Sequence, residues 1–105
     1  MKKIILFILP LLLLVAACAS KKAVVNPAAS DGSSFDKAIF INEKYEPTGV
    51  DAEYKWIAKT YPGAKTNKQA LAYHDKKPFD ILYITTSDSR QLTVYFDISN
   101  FFGKL

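Results

Sequence analysis

A single cysteine, a single histidine and four glycines set the first limits on this 105-residue chain. One cysteine has no partner for an internal disulfide, and together with one histidine it cannot supply a set of zinc ligands. No G-x-S-x-G elbow, glycine-rich phosphate loop or D-x-D-x-D-G calcium loop occurs. Nucleophilic catalysis needs a nucleophile, a base and an orienting group. The only imidazole, His74, stands in the turn-like run His74-Asp75-Lys76-Lys77, where a solvated side chain is the ordinary reading. Acidic residues are numerous enough for a carboxylate pair of the glycosidase kind, but nothing in the sequence selects a pair.

Strong net charge is also lacking. The formal charge is +4, yet two of the 14 basic residues, Lys2 and Lys3, lie in the first three positions. From Cys18 onward, 12 basic residues face 10 acidic ones, a balance of +2. That is not the footprint of a nucleic-acid binder, and no nucleic-acid partner is expected.

What the chain does have is three compositional zones. After Lys2 and Lys3, residues 4–17 are apolar, broken only by Pro10. Residues 19–34, "ASKKAVVNPAASDGSS", contain no aromatic residue and are rich in alanine and serine. From Phe35 to Leu105 come 13 aromatic residues with many Ile, Leu and Val, enough apolar material for one small core.

The apolar stretch is too short to span a bilayer, which takes about 20 residues. Its positive start, apolar middle and small-residue end have the layout of an export signal. Val15-Ala16-Ala17-Cys18 resembles the lipobox of bacterial membrane lipoproteins, in which an aliphatic residue and two small ones precede an obligatory cysteine. The resemblance covers the first 18 residues. It implies that Cys18 carries a thioether-linked diacylglycerol, that a peptidase cuts between Ala17 and Cys18, and that the new amine is acylated. A thiol is nucleophilic enough for thioether formation, and small Ala16 and Ala17 let the backbone enter a protease site. Each buried methylene contributes about 0.8 kcal/mol, so one acyl chain holds only marginally and two or three hold for good. The covalent lipid on Cys18 is the only non-protein group expected, with no cofactor or metal. In this class an aspartate after the cysteine commonly retains the protein at the inner membrane of Gram-negative bacteria. Ala19 stands there, which implies the outer membrane with the domain facing the periplasm; in a Gram-positive source the lipid would hold the outer face of the cell membrane.

The expected organisation is therefore signal peptide 1–17, lipidated cysteine and tether 18–34, and folded domain 35–105. A 16-residue flexible tether, Ala19 to Ser34, spans about 20–24 Å.

Within the domain, Lys37 to Asn42 reads as a strand. Tyr45-Glu46-Pro47 reads as a turn, followed by a capping box with Thr48 as N-cap and Asp51 at the third helical position. Val50, Tyr54, Ile57 and Tyr61 then fall on one helical stripe, which Pro62-Gly63 ends. The second half of Lys65–His74 reads as a strand with Leu71 and Tyr73 on one side, and residues 75–78 as a turn. Phe79–Thr86 and Gln91–Ile98 read as a hairpin around the four-residue loop 87–90. Leu92, Val94, Phe96 and Ile98 share one face, and Gln91, Thr93, Tyr95 and Asp97 the other. Ser99 is placed to cap a last turn ending at Gly103. The expected fold is α+β: an antiparallel sheet of three or four strands with one helix on its apolar face, in the order β-α-β-β-β.

Trp56 lies about 100° or more off the helical stripe. Tyr83 and Tyr95 lie on the hairpin face opposite Leu82, Ile84, Val94 and Phe96. Exposed aromatics near lysines suit sugar rings or a protein partner, so these three form the candidate binding surface. Packing offers the alternative: Trp56 against the loop around Tyr45, and Tyr83 with Tyr95 as a cross-strand pair. The sequence therefore points to a membrane-anchored, non-enzymatic envelope module that binds an envelope protein or a glycan such as peptidoglycan. A small cell-wall-directed enzyme, or an inhibitor of an envelope enzyme, is the other reading. The domain itself resembles no characterised family.

Overall fold

The computed structural model describes residues 30–105, so the signal stretch, Ala17, Cys18 and the tether through residue 29 lie outside the described residues. The described elements are β1 (Ile39–Phe40), α1 (Glu46–Thr60), β2 (Lys65–His74), β3 (Lys77–Thr85) and β4 (Gln91–Asp97). They form an α+β domain in which one helix packs on a four-stranded sheet of order β1-β4-β3-β2.

The sheet is mixed, not antiparallel. β2, β3 and β4 run up-down-up through two hairpins, while β1 pairs parallel to β4, Ile39 beside Phe96 and Phe40 beside Asp97. The reason is α1. A helix joining two strands of one sheet brings the chain back to the end it left, so β1 and β2 must point the same way. β4, two hairpins after β2, shares that direction.

β4 alternates as its sequence requires, with Val94 and Phe96 buried under the helix. Leu82, Ile84, Val94, Phe96 and Ile98 form the core with Ile41, Ile57 and Phe101. On the other face Phe79 and Ile81 are also buried, beneath Phe35. The Phe35 ring stacks on His74 at 4.3 Å and meets Tyr95 edge-on at 4.8 Å. Gly32 lies along the edge of β4: it is buried, and its carbonyl accepts the Tyr95 N–H at 2.7 Å. Its φ of +81° and the Val94 methyl 2.8 Å from where a Cβ would stand both require glycine.

Several local expectations change. α1 begins at Glu46, so Glu46 and Pro47 are helical, and the N-cap is Tyr45, which makes no side-chain cap bond. Proline fits the first turn because its missing N–H is one that a helix leaves unpaired anyway. Thr48 lies inside that turn and bonds back to the Tyr45 carbonyl at 3.2 Å. Tertiary contacts anchor this end: the Glu46 N–H donates to the Lys104 carbonyl, and the Glu46 carboxylate accepts from the Gly103 N–H, each at 2.7 Å. The C-terminal turn is capped by Asp97, whose carboxylate accepts from both the backbone and the hydroxyl of Ser99. β2 extends over all of Lys65–His74, and its turn is only Asp75-Lys76, both at positive φ as a two-residue hairpin needs. Pro78 belongs to β3, just past the last β3–β4 pair (Phe79 with Asp97), where no β3–β4 ladder bond needs its nitrogen.

Of the expected helical stripe, Val50, Ile57 and Tyr61 pack on the core, while Tyr54 is exposed. Gly49, Glu53 and Ile57 are the helix's buried residues, with Val50, Trp56 and Tyr61 flanking them. Gly49 brings the helix backbone against Phe101, and a Cβ there would fall inside the ring's van der Waals envelope. Gly49→Ala should therefore lower stability by about 1–3 kcal/mol through overpacking, although alanine alone favours a helix over glycine by about 1 kcal/mol. Urea denaturation monitored by circular dichroism measures this. A Gly49→Ala domain as stable as the parent would mean that Phe101 moves aside freely.

Candidate binding surface

Four strands place the outermost strand axes about 14 Å apart, whereas a helix with its side chains is about 10 Å wide. The helix lies over the β3 and β4 side chains, and the outer strand β2 extends beyond it. Through the register of β2 with β3, Gln69, Leu71 and Tyr73 share the helix-side face with Leu82, Asp80 and their neighbours. Leu71 is 50% exposed, Tyr73 61% and Phe102 37%. Tyr73 and Phe102 meet edge-on at 6.0 Å, and the Tyr54 hydroxyl bonds the Gln69 side-chain oxygen at 3.1 Å. Leu71, Tyr73, Phe102 and the Tyr54 rim thus form one apolar, aromatic strip along a sheet edge.

The backbone of that edge is open too. A two-residue turn makes His74 and Lys77 a bonded pair, so β2 bonds β3 through its even-numbered residues. The Pro78 carbonyl accepts from Ile98 on the β4 side, in line with this pattern. The N–H and C=O groups of Gln69, Leu71 and Tyr73 therefore point away from the sheet. Among the described residues, no backbone bond outside the sheet ladder uses residues 65–77.

Beneath the strip lies a buried carboxyl pair. Glu53 projects from α1 onto the sheet beside Asp80; Glu53 is fully buried and Asp80 nearly so. Asp80 sits in the ladder between Leu71 and Phe96. Two ionised carboxylates hold no hydrogen between them, and no other donor reaches either Glu53 oxygen. A proton on Glu53 supplies the missing donor, making the contact an acid–carboxylate hydrogen bond. Burial first, then the bond and charge of Asp80, push the Glu53 pKa from 4.5 up to about 10. Burial and the same pair also raise the Tyr54 phenol. The pair is enclosed, with no approach for a substrate. The sequence carried one hint of it, an aspartate inside the apolar run Phe79–Ile84; Glu53 gave none.

Of the three aromatic residues expected to form a surface, Tyr83 and Tyr95 share one face of the sheet and Trp56 lies on the other. Trp56 is partly buried on the helix side, edge-on to Phe96 at 5.7 Å and to Tyr61 at 6.2 Å. Tyr83 and Tyr95 lie on the opposite face, as diagonal neighbours, since Tyr83 pairs with Thr93 and Tyr95 with Ile81. Tyr95 packs on Phe35, and the Lys68 ammonium lies 5.2 Å from the Tyr83 ring centre. A shallow polar groove of about 270 Å³ runs between Tyr61 and Asp88. Its charges are matched internally: Asp88 accepts from the Thr86 hydroxyl and from Arg90, which hold its pKa below the usual carboxylate range. Among the described residues, no cluster of three or more metal-ligating side chains occurs and no helix is long and apolar enough to cross a membrane.

A carboxyl with a raised folded-state pKa binds its proton more tightly folded than unfolded. The stability that Glu53 contributes is therefore fullest below about 4.5 and declines as pH rises toward about 10, by at most about 1.4 kcal/mol per unit. Glu53→Gln keeps the shape and a donor for Asp80 but removes the proton. Urea denaturation from about pH 5 to about pH 9 should show a flatter slope and a more stable variant at the alkaline end. Parallel slopes for the two proteins would remove Glu53 as the source. Comparison with protein-family models, curated proteins and solved structures finds no match to this chain, so its function is read from these residues alone.

Proposed function

We propose that this protein is a lipid-anchored binding module of the bacterial cell envelope, held by Cys18 and non-enzymatic. The anchor rests on the order of basic start, apolar stretch and Val15-Ala16-Ala17-Cys18. The binding role rests on one observation above all: a ten-residue edge strand, β2, with open backbone groups and the exposed Leu71, Tyr73 and Phe102 beside it. Sheet edges of this kind recruit extended segments by strand addition. The partner class that fits is an envelope protein. A glycan or peptidoglycan partner is less well supported, because Trp56 is packed into the core and Tyr83 and Tyr95 face the other side. A carboxylate-pair hydrolase is also less well supported, since Glu53 is fully enclosed. With Ala19 after the cysteine, the outer membrane of a Gram-negative cell, domain toward the periplasm, is the favoured location.

The anchor and the binding role are tested separately. Cys18→Ser should take up no labelled palmitate, keep its signal stretch and leave the membrane-lipoprotein fraction; normal labelling would defeat the anchor. For the binding role, crosslinking of the native protein in intact envelopes should capture a specific partner, and capture should fall when Leu71 and Tyr73 are replaced by serine. Capture indifferent to those changes would move the role away from β2.

A further inference from the structure

We infer that the β2 edge takes an extended peptide strand of alternating apolar and acidic residues, with acidic side chains on the face away from the helix. This deepens, and rests on, the reading of the domain as a binding module. The two faces of an added strand meet different chemistry here. Residues opposite Gln69, Leu71 and Tyr73 share their backbone bonds and their helix-side face, beside Phe102. Residues opposite Lys68, Ala70 and Ala72 emerge on the other face, where cross-strand pairs lie closest. There Lys68 is held over Tyr83, and Lys65 follows on the same face, opposite Thr85. Ala70 and Ala72 leave room beside them for larger groups.

Charge decides the occupant. Lys65–His74 contains two lysines and no acid, and Lys76 follows in the turn. Asp97 holds Lys77 at 3.3 Å, and Asp75 lies 3.5 Å from His74. Among the described residues, no carboxylate lies within ion-pair distance of Lys65, Lys68 or Lys76. Two copies paired through β2 would line up four lysines along one edge, and edge lysines are a known guard against such pairing. An acidic strand neutralises the same lysines while covering the apolar strip. The structure thus favours a foreign acidic strand over a second copy.

The test uses the full chain in detergent and fluorescent peptides of about eight residues. One alternates valine with glutamate, one valine with lysine, and one scrambles the first. Anisotropy should show binding of the first only, and hydrogen exchange should slow at Gln69, Leu71 and Tyr73. Methylating the peptide nitrogens that face β2 should abolish binding, while methylating the alternate set should not. Lys68→Glu should weaken the glutamate peptide by about fivefold and improve the lysine peptide. Equal binding of the glutamate and lysine peptides, indifference to both methylated sets, or protection elsewhere in the domain would overturn the inference. So would a peptide-free dimer already protected at those three amides. If no peptide binds yet crosslinking still captures a partner through Leu71 and Tyr73, the acidic-strand inference fails and the binding module stands.

Discussion

A 15-residue helix carries the chain from one edge of the sheet to the other, and most of the architecture follows from that crossing. It makes β1 and β2 run in the same direction. It leaves β4 and β3 to fill the middle by hairpins. It also sets how much of the sheet one helix can cover, because its width is smaller than the distance between the outer strands. β1 is two residues long and backed by Gly32 at Tyr95, so that edge is short and occupied. β2 is ten residues long and overhangs. The two edges of the sheet are therefore unlike: one is short and occupied, the other long and open.

The helix is fastened by unlike means at its two ends. At the N-terminus, where no side chain caps it, Glu46 joins the C-terminal turn and Gly49 admits Phe101. Further along, Ile57 and Trp56 give ordinary apolar packing. Between them Glu53 faces Asp80, where burial and the neighbouring carboxyl raise the Glu53 pKa. The fold thus places a titratable contact in the middle of its main interface, directly under the strip formed by Leu71 and Tyr73.

How legible all this was in the sequence varied with what the residues had to say. The alternation of Leu92, Val94, Phe96 and Ile98 identified β4 because one face is core and the other is not. The helix was visible, and Val50, Ile57 and Tyr61 of its expected stripe do pack on the core, but the centre of the buried face was not legible, for a physical reason. Its buried line is Gly49, Glu53 and Ile57, and neither glycine nor glutamate registers as apolar. The expected stripe therefore takes in Tyr54, which is exposed, and leaves out Trp56, which packs on Phe96. The first half of β2 was missed because Lys65 to Gln69 are polar, as an edge strand can be while its partner supplies the ladder. The parallel pairing of β1 was not readable at all, since it follows from the crossing and not from any residue of β1. The apolar strip, likewise, joins Leu71 and Tyr73 to Phe102 across some thirty positions of chain. Only the folded arrangement brings them together.

The attachment of Gly32 has a mechanical meaning. Any pull on the chain from its N-terminal side arrives first at the two backbone bonds of Gly32, to Lys37 and Tyr95, and at the Phe35 ring stacked on His74. The Gly32 bond to Tyr95 lies on β4, two strands from β2, whereas the Phe35 ring reaches across to His74 at the end of β2. Tension would meet this small clasp first, and Phe35 would pass it to all three hairpin strands through His74, Phe79 and Tyr95. A load arriving at Gly32 and a load on the β2 edge would therefore meet at the Phe35–His74 stack, so strain at one side is felt at the other.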